Sequence, residues 1–280
     1  MKLSIVETGY FKLDGGAMFG VVPKTIWAKL HPPDENNLCT WSMRCLLIEK
    51  DHRRILIDTG LGDKQSDKFF SHYHPHGEDN LENSLKKLGY GYEDITDVIL
   101  THLHFDHCGG AVYRDENDEL KVRFPNATYW SNRKHWEWAR QPNSREKASF
   151  LKENFIPIEE SGQLKFADEN TKIIDEISIF LAKGHTECQI IPHIEYKGKT
   201  VVYCADLLPS VHHIPLPYVM AYDVRPLETL KEKAAFLKRA HDKGWVLFFE
   251  HDPDNQCCSL RINDKGRIAA GEVFDLSTLG

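Results

Sequence analysis

A cluster of histidines directly after a short apolar strand is the feature that most constrains how this chain can fold. The segment 101–110, THLHFDHCGG, follows the apolar tripeptide Val-Ile-Leu and holds four potential metal ligands within six residues. Alternate residues of an extended segment point the same way, so His102 and His104 face one point while the leucine between them faces the core. Asp106 and His107 lie beyond a bend and face a second point. The pattern predicts a metal-binding segment rather than a solvated loop.

Three later apolar strands end in the same kind of residue. Strands are predicted at 177–181, 200–204 and 245–249, and they are followed by His185, Asp206 and His251. A single polar residue after a strand is more often a cap or a turn residue. Four strand ends that deliver histidine and aspartate together predict a metal centre at one edge of a stack of sheets. Histidine is the commonest metal ligand, and the chain has 15 histidines.

The alternation of strand and helix patterns indicates a layered α/β fold. Further strands are predicted at 45–49, 54–58, 98–100 and 189–194, and helices at 81–88, 131–140, 144–154 and 227–242. Ser131 and Ser144 are the expected caps of the two middle helices. The last helix places Leu230, Ala234, Leu237 and Ala240 on one face. No linker rich in Gly, Ser or Pro interrupts residues 1–280, so a single domain is expected.

Charge and composition exclude several classes of protein. With 35 Lys+Arg against 42 Asp+Glu, the net charge is −7, which argues against broad binding to the phosphate backbone of nucleic acids. No apolar run approaches the roughly 20 residues that span a bilayer, and the N-terminus lacks the pattern of a signal peptide. We therefore expect a soluble cytoplasmic protein that acts on a small molecule, with neither a nucleic acid nor a membrane as partner.

The cysteines predict neither a disulfide framework nor a cysteine-rich zinc site. They number seven, an odd count, and no C-x-x-C pair occurs among them. Most are expected to be reduced and half-buried. Cys108 adjoins the histidine run and is expected to be packed beside it rather than to act as a ligand.

The His-x-His-x-Asp-His run, followed by isolated His, Asp and His at these separations, resembles the metallo-β-lactamase fold superfamily of metallohydrolases. The resemblance covers nearly the whole chain and implies an αββα sandwich with a dinuclear site at one edge of its two sheets. It further implies that one metal ion is held by His102, His104 and His185, the other by Asp106, His107 and His251, and that Asp206 bridges both. Five imidazoles and two carboxylates suit Zn²⁺, with Mn²⁺, Fe²⁺ or Co²⁺ open on ligand type.

The resemblance also implies a mechanism, in which a hydroxide that bridges the two ions attacks the substrate. Asp106 would be a ligand through one oxygen, while its other oxygen protonates the leaving group. Asp58 matches a family loop beneath the metal site. Two interpretations of Asp58 stay open: a partner for a metal-bound histidine, or a loop cap that accepts backbone N–H groups.

The Gly-rich segment 13–23 resembles the N-terminal loop of the branch that contains N-acyl-homoserine lactone lactonases and methyl parathion hydrolase type enzymes. Met18, Phe19, Trp27 and Ile214 are candidates for an apolar pocket wall. Opening of a lactone is the first expectation. Several lactonases carry a Tyr three residues after the bridging Asp, whereas Pro209 stands there in this chain. Candidates to replace that substrate contact are His213 and Tyr222.

Other functions stay open at this point. They are hydrolysis of phosphotriesters, aryl esters, other esters or lactams on the same site, a metal-dependent nuclease, and a di-iron redox partner. The net negative charge disfavours the nuclease, and the chain leaves no room for the flavin domain that accompanies a di-iron partner.

His72, His74 and His76 alternate in a polar segment and are interpreted as a surface or lid loop. A homodimer is possible.

Overall fold

The computed structural model describes residues 1–279, and the chain divides into two compact units. The first unit consists of Met1–Phe11 and Met43–Asp168; the second consists of Lys12–Ser42 and the residues from Glu169 onward. Each unit is built around one six-stranded sheet. The single domain predicted over residues 1–280 stays a prediction.

The first sheet has the strand order β1-β2-β3-β4-β7-β8. Its strands are β1 (Lys2–Asp14), β2 (Leu38–Lys50), β3 (Arg53–Ile57), β4 (Asp97–Ile99), β7 (Thr128–Ser131) and β8 (Leu164–Phe166), and a separate two-stranded sheet joins β5 (Val112–Arg114) to β6 (Leu120–Val122). β2 and β3, which correspond to the strands predicted at 45–49 and 54–58, pair as an antiparallel hairpin, whereas β3, β4, β7 and β8 run parallel. Apolar residues of alternate positions in these strands, among them Leu56, Val98 and Tyr129, lie in one buried cluster with Leu103. Leu103 thus faces the core, as its alternation with the flanking histidines predicts.

Five helices accompany this sheet: α3 (Asp67–Tyr73), α4 (Leu81–Lys87), α5 (Phe105–Cys108), α6 (Arg133–Arg140) and α7 (Ile156–Glu160). Short 3₁₀ turns occupy Tyr92–Asp94, Gly109–Ala111 and Lys152–Asn154.

Two predictions for the segment 131–154 are wrong. The cap of α6 is Asn132, whose Oδ1 accepts from the N–H of Lys134 at 2.9 Å, while Ser131 ends β7. The helix predicted at 144–154 is a loop that closes with one 3₁₀ turn. A loop forms there because the carbonyl of Ser149 accepts the N–H of Phe105 at 3.0 Å, which ties this segment to the histidine run.

The second sheet has the order β14-β13-β12-β11-β10-β9. Its strands are β9 (Ile177–Ala182), β10 (Gln189–Tyr196), β11 (Lys199–Tyr203), β12 (Val246–Phe248), β13 (Cys257–Ile262) and β14 (Ile268–Phe274). Its helices are α1 (Gly15–Phe19), α2 (Lys24–Trp27) and α8 (Pro226–Lys243), with 3₁₀ turns at Ala205–Leu207, Val211–His213 and Leu276–Leu279. β11 and β12 are parallel, and α8 lies between them in the chain.

The buried face of α8 differs from the predicted one at its centre. Leu237 and Ala240 are buried as expected, but Ala234 is exposed and Lys233 takes its place, with only 1% of its surface accessible. The ammonium group of Lys233 donates to the carbonyls of Pro215 at 2.9 Å and Tyr218 at 2.7 Å. These bonds compensate the buried charge only in part, because burial lowers the pKa of Lys233 to about 7.

Within residues 1–279, no helix is both long enough and apolar enough to cross a membrane.

The buried lysine predicts a specific pH dependence of stability. Between about pH 7 and its ordinary pKa of 10.5, Lys233 is protonated in the unfolded chain and largely deprotonated in the folded one. The free energy of unfolding should therefore rise with pH over this window, because the unfolded state binds more protons. In Lys233→Met that rise should be smaller. Equilibrium denaturation of both proteins at either end of the window measures it.

Lys231→Met is the control, because Lys231 lies on the same helix with 75% of its side chain exposed. It should retain the wild-type pH dependence. A difference between wild type and Lys233→Met that does not change with pH would contradict the assignment.

Candidate metal centre

The histidine run of the first unit is held by the backbone of the segment that follows β3. The N–H of Thr59 donates to the carbonyl of His107 at 2.8 Å, and the N–H of Gly110 donates to the carbonyl of Gly60 at 3.0 Å. The two segments approach so closely that a Cβ at Gly109 would collide with the carbonyl oxygen of Leu61. The pair of glycines in the motif is thus required by this close approach.

The imidazoles and the carboxylate of the run are buried and converge in two places. His102 Nε2 lies 3.1 Å from His104 Nδ1, and His107 Nε2 lies 3.7 Å from Asp106 Oδ2. His102 and His107 are fully buried, while His104 and Asp106 are 7% and 8% exposed. The structure therefore brings the four predicted ligands of this unit together as two adjacent pairs.

Asp58 organises this cluster from beneath. Its Oδ1 accepts the N–H of Thr101 at 2.8 Å, and its Oδ2 accepts the Thr101 hydroxyl at 2.7 Å and lies 3.1 Å from His107 Nδ1. Its backbone is left-handed, with φ of +57°. Both interpretations left open by the sequence apply, because Asp58 caps the loop and also orients a candidate ligand.

In the second unit, Asp206 lies between two histidines. Its Oδ2 is 3.0 Å from His185 Nε2, and its Oδ1 is 3.1 Å from His251 Nε2. The outer nitrogens are also engaged: His185 Nδ1 lies 2.9 Å from Asp223 Oδ1, and His251 Nδ1 lies 2.8 Å from the carbonyl of Ser42. Burial opposes protonation of His185, but the two carboxylates outweigh it and raise its pKa to about 10.

Several residues that support these clusters were not predicted from the sequence. His135 Nε2 accepts the N–H of Leu103 at 2.8 Å, between the two histidines of the run. Glu146 Oε1 lies 3.7 Å from His104 Nε2. The helical pattern of α6 places His135 on its buried face, which was an available signal. Nothing in the local sequence marks Glu146, Asp223 or Ser42.

The predicted apolar wall forms a buried aromatic cluster in the second unit. The ring of Phe19 stacks on that of His213, with centroids 4.8 Å apart, and lies 5.4 Å from that of Trp27. Met18 and Ile214 are buried, whereas Tyr222 is 37% exposed.

His213 is fixed within this cluster by both of its ring nitrogens. Its Nε2 donates to the carbonyl of Met18 at 2.9 Å, and its Nδ1 accepts from the hydroxyl of Ser210 at 2.8 Å. Burial lowers the pKa of His213 to about 3, so the ring is neutral. The carbonyl of Pro209, at the place where several lactonases carry Tyr, accepts the N–H of His251 at 3.2 Å.

Two further groups singled out by the sequence are the alternating histidines at 72–76 and the cysteines. His72, His74 and His76 are exposed at the surface as expected, but His72 lies in α3 rather than in a loop. Within residues 1–279, none of the seven cysteines forms a disulfide, and all are buried rather than half-buried as predicted. The thiol of Cys108 donates to the carbonyl of Leu103 at 3.3 Å, and burial raises its pKa to about 12.

The fold and the clusters of His and Asp at strand ends define a metallohydrolase class. Residues 44–251 match the metallo-β-lactamase superfamily, and the chain belongs to this superfamily. The predicted fold class is thereby confirmed, and so is the predicted class of enzyme.

Relatives within the superfamily include lactonases. The N-acyl homoserine lactonase of Bacillus cereus is 26% identical over 195 residues, which are 66% of this chain and 66% of that protein. The chain thus spans about two thirds of the length of that curated relative. A probable metal-dependent hydrolase from Staphylococcus aureus superposes with a TM-score of 0.88 at 26% identity, covering 98% of this chain and 96% of that one. AidC, a dizinc quorum-quenching lactonase, superposes with a TM-score of 0.78 at 24% identity, covering 98% of this chain and 95% of that one.

Asp58→Asn tests the support beneath the histidine run. Asn tolerates a left-handed backbone as Asp does, so the change removes the charge without adding strain. The amide group cannot accept all of the hydrogen bonds that the carboxylate holds, and the metal-free protein should lose about 1–3 kcal/mol of stability. Chemical denaturation of the metal-free protein measures the loss.

Asp118→Asn is the matched control, since Asp118 has φ of +63° and an 83% exposed side chain. It should change stability by less than about 0.5 kcal/mol. Equal stability losses in the two variants would show that the hydrogen bonds of Asp58 do not stabilise the metal-free protein.

Proposed function

We propose that this chain is a dinuclear metal-dependent hydrolase that opens a lactone such as an N-acyl-homoserine lactone, a quorum-quenching activity. The observation that carries the proposal is the orientation of the candidate ligands. Metal-binding imidazoles in proteins present one nitrogen to the ion and donate the other N–H to a carboxylate, a carbonyl or a similar acceptor. Four of the five candidate imidazoles follow this rule within their own unit.

The outer nitrogen of each of these four rings is held by the protein. The pairs are His102 with Thr101, His107 with Asp58, His185 with Asp223, and His251 with Ser42. In each ring Nδ1 is the held atom, so Nε2 is the nitrogen presented to an ion. The residues present therefore fit a metal centre of nitrogen and oxygen ligands.

The proposed assignment gives one ion to His102, His104 and His185, and the other to Asp106, His107 and His251. Asp206 would be a ligand of both ions, in keeping with an imidazole facing each of its oxygens at 3.0 and 3.1 Å. This ligand set suits Zn²⁺, with Mn²⁺, Fe²⁺ and Co²⁺ as alternatives. AidC, named as a dizinc enzyme, supports zinc.

When bound, two divalent ions supply a hydroxide nucleophile at neutral pH and polarise a substrate carbonyl. The residues of the chain supply the rest. Asp106 carries two oxygens on a side chain that is 8% exposed. We assign it to accept the proton released when the nucleophile adds to the carbonyl and to pass that proton to the departing alkoxide. Asp58 and Asp223 fix the rings of His107 and His185, so that the ligands need little reorganisation.

A lactone is favoured over other esters by the named relatives and by the aromatic cluster of the second unit. Within that cluster, Met18, Phe19, Trp27 and His213 are the proposed substrate wall, with Tyr222 as a candidate polar contact. The second candidate substrate is an organophosphate or aryl ester on the same site, because Pro209 removes the hydroxyl that several lactonases use. A cytoplasmic location, a homodimer and the lack of nucleic-acid binding stay predictions.

Chelation and substitution together test the function. The zinc-loaded protein should release acid from acyl-homoserine lactones, and it should lose that activity after chelation and regain it with Zn²⁺. Asp106→Asn should lower kcat by about a hundredfold to ten-thousandfold, with bound metal measured on the same sample. Asp118→Asn is the control and should retain full activity.

Each outcome separates one part of the proposal. Full turnover by metal-replete Asp106→Asn would remove the proton-transfer role. Hydrolysis of a phosphotriester or an aryl ester without lactone opening would select the second candidate substrate. Cleavage of nucleic acid in place of either would overturn both.

A further inference from the structure

His104 is oriented differently from the other four candidate imidazoles. It presents Nδ1, not Nε2, toward its neighbour His102, at 3.1 Å. Its outer atom is therefore Nε2, and the carboxylate oxygen Oε1 of Glu146 lies 3.7 Å from it. The side chains of His104 and Glu146 are 9% and 3% exposed, so this pair is shielded from water.

We propose that Glu146 is a positioning residue for His104, which selects the tautomer that leaves Nδ1 able to bind a metal ion. The inference rests on the proposed metal centre and concerns residues of the first unit only. At 3.7 Å the contact between Glu146 Oε1 and His104 Nε2 is longer than a hydrogen bond. Its effect on the ring is electrostatic, because a carboxylate favours the proton on the nearer nitrogen, Nε2.

The carboxylate of Glu146 is itself held in place. Trp138 Nε1 donates to Oε2 at 2.7 Å, and Asn143 Nδ2 donates to the same oxygen at 2.6 Å. The Oδ1 of Asn143 in turn accepts the N–H of Glu146 at 3.2 Å. Both neutral donors lie on Oε2, and Oε1 is the oxygen that lies 3.7 Å from His104 Nε2.

The surroundings of His104 keep its ring in this orientation. The ring of Phe150 lies 4.7 Å from that of His104. The carbonyl of Ser149 accepts the N–H of Phe105, the next residue in the histidine run, at 3.0 Å. The loop 143–150, which contains Glu146, is thus hydrogen-bonded to the histidine run that contains His104.

Burial of a carboxylate is costly unless charged or polar groups compensate it. The donors of Trp138 and Asn143 provide part of that compensation. The Nε2–H of His104 adds a favourable electrostatic contact with Oε1, and only this contact depends on the tautomer of His104. A glutamine of the same size could direct its NH₂ group at Nε2. Two donors would then face each other, and the proton would move to Nδ1, where it blocks a metal ion.

Glu146→Gln therefore tests the proposal through metal binding rather than turnover. The affinity of the protein for Zn²⁺, measured by competition with a chromophoric chelator, should fall about 10–100-fold for one of two ions. The visible absorption of the Co²⁺-loaded protein should change, because the ligand field at that ion changes. Glu146→Asp retains the charge and should recover most of the affinity.

Glu153→Gln is the matched control, since Glu153 lies in the same segment with a 35% exposed side chain. It should bind Zn²⁺ as the wild type does. Thermal unfolding of each metal-free variant shows whether the fold is retained. Equal losses of affinity and of metal-free stability in Glu146→Gln and Glu146→Asp would show a purely structural role and overturn the proposal.

The test of Glu146 and the test of the proposed function can fail independently of each other. Wild-type zinc affinity and an unchanged cobalt spectrum in Glu146→Gln would refute the role of Glu146, whatever the substrate is. A wild-type protein that binds two zinc ions but opens no lactone would refute the function and leave the role of Glu146 standing.

Discussion

The carboxylate of Asp58 joins the end of one strand to the histidine run that follows the next. It accepts the backbone and the hydroxyl of Thr101 and lies 3.1 Å from His107 Nδ1. A residue with left-handed backbone and three buried contacts has little freedom to move. The positions of His102 and His107 relative to the sheet therefore depend on this one side chain, and so does any chemistry that the run supports.

The two nitrogens of each imidazole impose the second constraint. The orientation of a metal-binding ring is fixed when the protein engages its outer nitrogen. For His185 and His251 the structure supplies that partner from distant segments. Ser42 and Asp223 serve His251 and His185 in the second unit. The candidate metal centre of this superfamily member therefore depends on the groups that hold the outer nitrogens as much as on the histidines themselves.

The sequence predicts the parts of this arrangement that are local. Apolar strands ending in His, Asp and His, the hairpin of β2 and β3, and the inward-facing Leu103 all follow from periodicity over a few residues. The helix expected at 144–154 stops after one turn. Asn143 caps that turn by accepting the N–H of Glu146, but the carbonyl of Ser149 accepts the N–H of Phe105, a residue distant in the chain. The burial of Lys233 in place of Ala234 escapes local prediction for a related reason. The carbonyl groups that accept from Lys233, at residues 215 and 218, are distant in sequence. Ser42 and His251 are separated by 209 positions, which no local pattern can connect.

The neutral thiol of Cys108 has a consequence for selectivity among metal ions. It directly follows His107 in the chain, and a thiolate so near the cluster would attract soft ions such as Cu⁺. Burial keeps the proton on sulfur, with a pKa of about 12, and that proton is donated to a backbone carbonyl. The choice of ion is thereby left to imidazole and carboxylate groups, although sulfur lies one residue away.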